Sequence, residues 1–220
     1  MVRMKSGKGV SIDPFLSSKR NFIIIGHRAV SDGSINLKDL CGASGRWDGI
    51  ARCITASLFL SHDMRRDTSI HIILLGSGDP PKILSVNGAY VKYLNPDERA
   101  CSALMRKSLE MEIGNEIGFT IRTSPGIHVT RGGLDHVLKR IDGSTYLMSE
   151  EGSDSEDSFG EFGERSYFFL SDDMDLKKDE KDLLEDRCDG KINVGPLSLH
   201  SYQALIILHN IMDKGAKVDS

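Results

Sequence analysis

Apolar residues gather in short unbroken runs along much of this chain. Phe22-Ile23-Ile24-Ile25, Ile70-His71-Ile72-Ile73-Leu74-Leu75, Tyr146-Leu147-Met148, Tyr167-Phe168-Phe169-Leu170 and Ile192-Asn193-Val194 are bounded by glycine or polar clusters. Runs of this kind predict strands covered on both faces. Helical spacing takes over between them. A helix begins near Arg46 and turns Trp47, Ile50, Ile54 and Leu58 to one side, leaving Arg46, Asp48 and Arg52 off that face. Leu94-Asn95-Pro96-Asp97-Glu98-Arg99 predicts a cap at Asn95, a proline at the first helical position and a helix through Leu109. Further helices are expected from Leu134 to Arg140, from Lys178 to Asp186, and after Ser198, a candidate N-cap, with Leu205, Leu208 and Met212 buried. Asn87-Gly88 between Ile83–Val86 and Tyr90–Tyr93 predicts a two-residue hairpin. Gly114–Gly118 is a break, and Ile127-His128-Val129 a short strand. Alternating strands and helices predict an α/β fold, a mostly parallel sheet flanked by helices with one hairpin attached.

Composition changes this picture at the ends and in one segment. Residues 1–20 are basic and rich in Ser and Gly and read as a loose N-terminal arm. Without an apolar stretch, the arm is no secretory signal. A single domain is expected over 21–213, interrupted by an acidic loop insertion at 150–166 and followed by a tail at 214–220. No apolar run approaches the ~18 residues of a membrane span, so no membrane partner is expected. Four scattered cysteines, none in a Cys-x-x-Cys pair, suit a reducing cytoplasm and offer no zinc site. The net charge of −4 hides an asymmetry. Residues 1–149 carry 20 Lys and Arg against 14 Asp and Glu, and residues 150–220 carry 8 against 18. A basic larger part permits a phosphate-binding face.

The candidate chemistry sits where strands end. Met148-Ser149-Glu150, Leu170-Ser171-Asp172 and Val194-Gly195-Pro196 each close a strand on a loop, as does Gly26-His27-Arg28. Open α/β sheets bind ligands at that edge. Gly195-Pro196 followed by a helix start offers backbone N–H groups to a ligand. Dinucleotide, P-loop, G-x-S-x-G and H-E-x-x-H motifs are all lacking. None of the seven histidines has metal-ligand spacing; His27 and His200, in loops at strand ends, are the two candidates for a site. These features alone reach an α/β protein with a ligand-binding edge, and Arg46, Asp48 and Arg52 fit a solvated helix surface equally well.

Six segments in order go further: Gly26-His27-Arg28-Ala29, Gly45-Arg46-Trp47-Asp48-x-x-Ala51-Arg52-Cys53, Leu58-Phe59-Leu60-Ser61-His62, Leu94-Asn95-Pro96-Asp97-Glu98-Arg99, Arg131-Gly132-Gly133-Leu134 and Gly195-Pro196-Leu197-Ser198-Leu199. Together, over about residues 21–213, they resemble the archaeal tRNA pseudouridine-54 N1-methyltransferases of the SPOUT superfamily. The resemblance implies a SPOUT-type sheet with a deep trefoil knot in the C-terminal third, an exception to the rule against threaded chains. It also implies a homodimer that binds S-adenosylmethionine (SAM) and methylates N1 of a pseudouridine in the tRNA T arm without a metal. Carried over by position, the cofactor would lie on Met148, Ser171, Gly195, Pro196, Leu197, Ser198, Leu199 and Ala204. Ser171 stands where relatives often have Gly, Ala204 where they usually have Cys, and Met148 where many have Leu.

For the reaction, Asp48 is expected to orient or accept the N1 proton, and Arg28, Arg46 and Arg52 to hold phosphate and uracil oxygens. The base would have to leave the folded T arm to reach the methyl. Two other readings stay open: a pseudouridine N1-methyltransferase of small-subunit ribosomal RNA, and a SPOUT-like RNA-binding protein without catalysis.

Overall fold

The computed structural model describes residues 13–154 and 162–215. Its sheet has eight strands in the order β4-β5-β3-β2-β1-β7-β6-β8. The Phe22–Ile25 run lies in β1 (Arg20–Gly26), every residue of which is buried. Parallel neighbours flank it, β2 (Thr68–Leu74) on one side and β7 (Ser166–Ser171) on the other. Beyond β7, β6 (Ser144–Asp154) and β8 (Gly190–Asn193) continue the parallel half. On the other side β3 (Lys82–Asn87), β5 (Ile127–Arg131) and β4 (Thr120–Ser124) pair antiparallel.

Alternation along the strands sorts the core into two layers. Phe22, Ile24, Ile70, Ile72 and Phe168 meet Trp47, Ile50 and Ile54 of α1 (Trp47–Leu58), Cys101 and Met105 of α2 (Glu98–Leu109), and Leu205 and Leu208 of α5 (Ser201–Gly215). Ile23, Ile25, Ile73, Tyr167 and Phe169 face the other way, onto Val137 and Leu138 of α3 (Leu134–Arg140) and Leu184 of α4 (Lys178–Arg187).

Several local expectations are corrected. Asn87-Gly88 does not close a hairpin, and Tyr90–Tyr93 is not a strand. Asn87 instead ends β3 in a tight turn, its side chain accepting from Ala89 N–H at 2.8 Å and its carbonyl from Val91 N–H at 2.9 Å. Both edges of β3 are already taken, by β2 and β5. The real hairpin joins β4 to β5, and β4 lacked a sequence signal because none of its residues is fully buried. The cap of α2 is Asp97, which accepts from Ala100 N–H at 2.7 Å, so Pro96 precedes the helix. Ser198 does not cap α5. His200 precedes its first turn, and the His200 N–H donates to Gln203 Oε1 at 3.0 Å, the backward half of a capping box.

The packed chain also starts before residue 21. Phe15 is 2% exposed, its carbonyl accepts from the Tyr167 hydroxyl at 2.7 Å, and Asp13 pairs with Arg140. The rest of the expected arm, residues 1–12, lies outside the described residues. The acidic insertion begins as strand rather than loop, since β6 runs to Asp154 and resumes its pairing with β8 at Ser153. Its centre, 155–161, and the tail beyond Gly215 lie outside the described residues.

Candidate functional site

Strands β1, β7, β6 and β8 are mutually parallel, so their C-terminal loops open on one edge of the sheet. Two of these loops are locked together by His27. Its backbone N–H donates to Asp172 at 2.8 Å, its Nδ1–H to the same carboxylate at 3.0 Å and its Nε2–H to Glu180 at 2.8 Å. The Asp172 hydrogen bond is the main cause that raises the His27 pKa, against burial, with Glu180 adding to it. With a carboxylate on each ring nitrogen, the imidazolium is the form this pocket favours.

The start of α1 brings the arginines to the same edge. Gly45 and Arg46 both take left-handed φ angles of 66°, and a Cβ on Gly45 would lie 1.8 Å from the Arg28 carbonyl oxygen. Only glycine lets the two segments approach this closely. Arg46 then forks onto Asp48 at 3.0 and 3.2 Å. Arg52 lies 3.7 Å from the same carboxylate and donates to Glu98 at 2.7 Å. Arg28 pairs with Asp173, which also lies 3.5 Å from Arg46. The four predicted catalytic residues are thus brought together, joined by Asp173. Burial pushes the Asp48 carboxyl upward, but the Arg46 hydrogen bond and the two guanidinium charges outweigh it and hold the pKa below the ordinary value. Asp48 is therefore held as an ionised carboxylate between two arginines.

Tyr202 and His200 complete the cleft. Their rings stack at 5.5 Å and 12°, and the Arg52 guanidinium lies 5.6 Å from the Tyr202 ring centre. Ile24, Ile50 and Cys53 supply the apolar wall. Burial pushes the Cys53 thiol up to about 12, so it is no nucleophile. Sequence reasoning missed Tyr202, Glu98 and the role of Asp173. The available signal for Tyr202 was its place in the first turn after the Gly-Pro loop.

The residues expected to hold a cofactor fall at the ends of β7 and β8, on α5 and, for Met148, inside β6, which does not close on a loop there but runs on to Asp154. Met148 pairs with Ile192 where β6 meets β8, half-buried against the main core. Ser171 ends β7; its hydroxyl donates to the Met174 carbonyl, and its own carbonyl accepts from the Ser201 hydroxyl. The extra hydroxymethyl group thus ties its own loop. Ala204 is buried in α5. Pro196, Leu197 and Ser198 are exposed, Leu197 to 73%. Gly195, at φ 150°, faces open space within 4 Å of its missing Cβ. Among the described residues, no hydrogen bond takes up the backbone N–H of Leu197, Ser198 or Leu199. Free donors beside an open glycine fit a polar, flat cofactor. Among the described residues no group of three or more His, Cys, Asp or Glu is arranged to hold a metal ion, and no helix is long and apolar enough to cross a membrane.

Comparison with known proteins follows this geometry. A family model described as "Putative SAM-dependent RNA methyltransferase" matches residues 19–216. The tRNA (pseudouridine(54)-N(1))-methyltransferase of Methanococcoides burtonii is 36% identical over 198 residues, covering 89% of this chain and 96% of that protein. The enzyme of the same name from Methanosarcina mazei is 38% identical, covering 89% and 91%. That from Haloarcula marismortui is 39% identical, covering 88% and 96%. In three dimensions the chain is similar to Archaeoglobus fulgidus Nep1 crystallised with S-adenosylhomocysteine, with a TM-score of 0.60 over 91% of this chain and 99% of that one. At 14% identity this likeness speaks for the fold.

Proposed function

We infer that this chain, which belongs to the SAM-dependent RNA methyltransferase family, methylates N1 of the pseudouridine at position 54 of tRNA. The observation that carries the reading is the match, over nearly the whole chain, to curated enzymes of that one activity. The arginine-carboxylate cleft beside loops with free backbone donors supports it. Bound SAM would supply an electrophilic sulfonium methyl to N1, with the N1 proton passing to solvent and S-adenosylhomocysteine as the other product.

The backbone from Gly195 to Leu199 would hold the cofactor's polar edges, with Met148, Ser171 and Ala204 around it. Arg28, Arg46 and Arg52 would grip phosphate and uracil oxygens, and Asp48 would fix the two arginines that flank it. The methyl-transfer assay uses labelled SAM and two T-arm RNAs, one with pseudouridine and one with uridine at the target. Label on the pseudouridine RNA alone is expected. Label on a ribosomal RNA hairpin instead would move the activity to the ribosome, and loss of both label and SAM binding would leave only an RNA-binding protein.

The same reading makes the protein a cytoplasmic homodimer with a deep trefoil knot through β7, β8 and α5. The six family-like segments support the knot. Leu197 in the loop before α5 and Ile206 in its second turn, 73% and 54% exposed, support a second copy on that side.

A further inference from the structure

The α3 face of the sheet changes character along its length. Near the strand ends that carry the methyl-transfer loops it is apolar, with Ile23, Ile25, Ile73 and Ile83. At the other end the same alternation puts polar residues on that face. One row crosses four strands in register: His71, Ser85, His128, Arg122. Ser69 and Asn87 form the next pair. A cavity of about 600 Å³ lies over this polar stretch, with Tyr90 and Arg140 also among its walls. The size is that of a small-ligand site.

Its floor is polar and buried. Ser69, Ser85 and Asn87 are 1%, 2% and 4% exposed. His71 Nδ1 and the Ser85 hydroxyl share a hydrogen bond of 2.8 Å, and the Asn87 amide donates to Ser17 at 2.8 Å. His128 Nδ1 is buried with no hydrogen-bond partner among the described residues. A buried polar atom left unpaired is costly, and this one belongs to a residue of the cavity wall. The charge at the rim is positive: Arg122 is exposed, whereas Arg140 is paired with Asp13. Tyr90, 51% exposed, offers an aromatic face.

We propose that this cavity is a second RNA contact, taking one unstacked nucleotide of the substrate RNA with its phosphate on Arg122, its base against Tyr90, and its hydroxyls on the Ser85–Asn87–His128 floor. An anion-binding arginine, an aromatic face and a hydroxyl-rich floor are what single nucleotides of RNA demand. The pocket lies on the opposite face of the sheet from the methyl-transfer cleft and at the start of β1, about 20 Å of strand away. It would therefore hold a part of the RNA remote from the reacting base. The proposal rests on the RNA-methyltransferase reading for its substrate but not for its geometry.

The test compares wild-type protein with Arg122→Glu and with Tyr90→Ala, both at exposed positions, by binding of full-length tRNA across a salt series and by SAM titration. Arg122→Glu is expected to weaken tRNA binding about fivefold or more and to lower the salt slope by about one. Tyr90→Ala is expected to weaken binding with the slope kept, and SAM affinity to stay at the wild-type value in both. Wild-type tRNA affinity in both variants would overturn the proposal. So would uridine monophosphate that binds wild type and not Arg122→Glu while tRNA binding is equal, since the pocket would then serve a free nucleotide. If wild-type protein binds tRNA but transfers no methyl group, the assigned reaction fails and the two variants still decide the pocket.

Discussion

At the scale of single residues, Asp48 separates two mechanisms. A general base working near neutral pH needs a pKa near that pH. Asp48 has the opposite tuning, because two arginines hold it below the ordinary carboxylate value despite its burial. Substitution by Asn keeps the shape and one acceptor but removes the charge that fixes Arg46 and Arg52. We expect Asp48→Asn to lower the maximal methyl-transfer rate by about tenfold, with a rate profile that stays flat between about pH 6 and 8. A loss of about a thousandfold, together with an acid limb that vanishes in the variant, would make Asp48 the base instead. Trp47 illustrates a residue whose role was plain from spacing: fully buried, it donates its indole N–H to the Val30 carbonyl at 3.0 Å and anchors α1.

At the scale of elements, His27 is the joint between β1, β7 and α4. From the loop directly after β1 it donates to Asp172 after β7 and to Glu180 in the first turn of α4, whose carboxylate also accepts from Lys177 N–H at 2.9 Å. The His27 side chain is 2% exposed. Its folded pKa is raised above the unfolded value of 6.5. The stability it contributes is therefore fully present below that value and is lost as pH rises through the folded pKa. Asp172 runs the other way, its pKa lowered, and its contribution disappears only in acid. Urea unfolding is expected to give a stability that declines as pH rises above the unfolded value of 6.5, and His27→Gln a flatter profile over the same range. An identical decline in the variant would assign it to other groups. The effect reaches the site, because Asp172 and Asp173 share the loop that ties β7 to the arginines.

At the scale of the whole molecule, the parallel half was legible because the runs Phe22–Ile25 of β1 and Tyr167–Leu170 of β7 are apolar on both faces, and a continuous run has one common reading. The antiparallel half was not. Its β4 is exposed, and Asn87-Gly88 carries hairpin chemistry that the already paired edges of β3 cannot use. Polar alternation in Ser69-Ile70-His71 and Ser85-Val86-Asn87 has no reading by itself, since only the register shows that these residues share one face. That Arg28, Arg46, Asp48 and Arg52 group together was expected from the resemblance; their link through Asp173 and the packing of Arg52 on Tyr202 needed the fold.

Assembly is the remaining consequence at this scale. Tyr202 and Ile206 stand four residues apart on α5, on one side of the helix, while Ala204, Leu205 and Leu208 are buried. Ile206 and Leu197 leave apolar surface beside the cleft, a costly arrangement unless something covers it. A second copy would bury this stripe and close the cleft from the Tyr202 side, so assembly and catalysis should fail together. Ile206→Glu puts a charge into that contact without touching the core. We expect light scattering to change from dimer to monomer mass and methyl transfer to fall in proportion, with thermal unfolding still cooperative. A variant that stays dimeric at wild-type activity would put the contact between copies on another face and leave Leu197 and Ile206 to face the RNA.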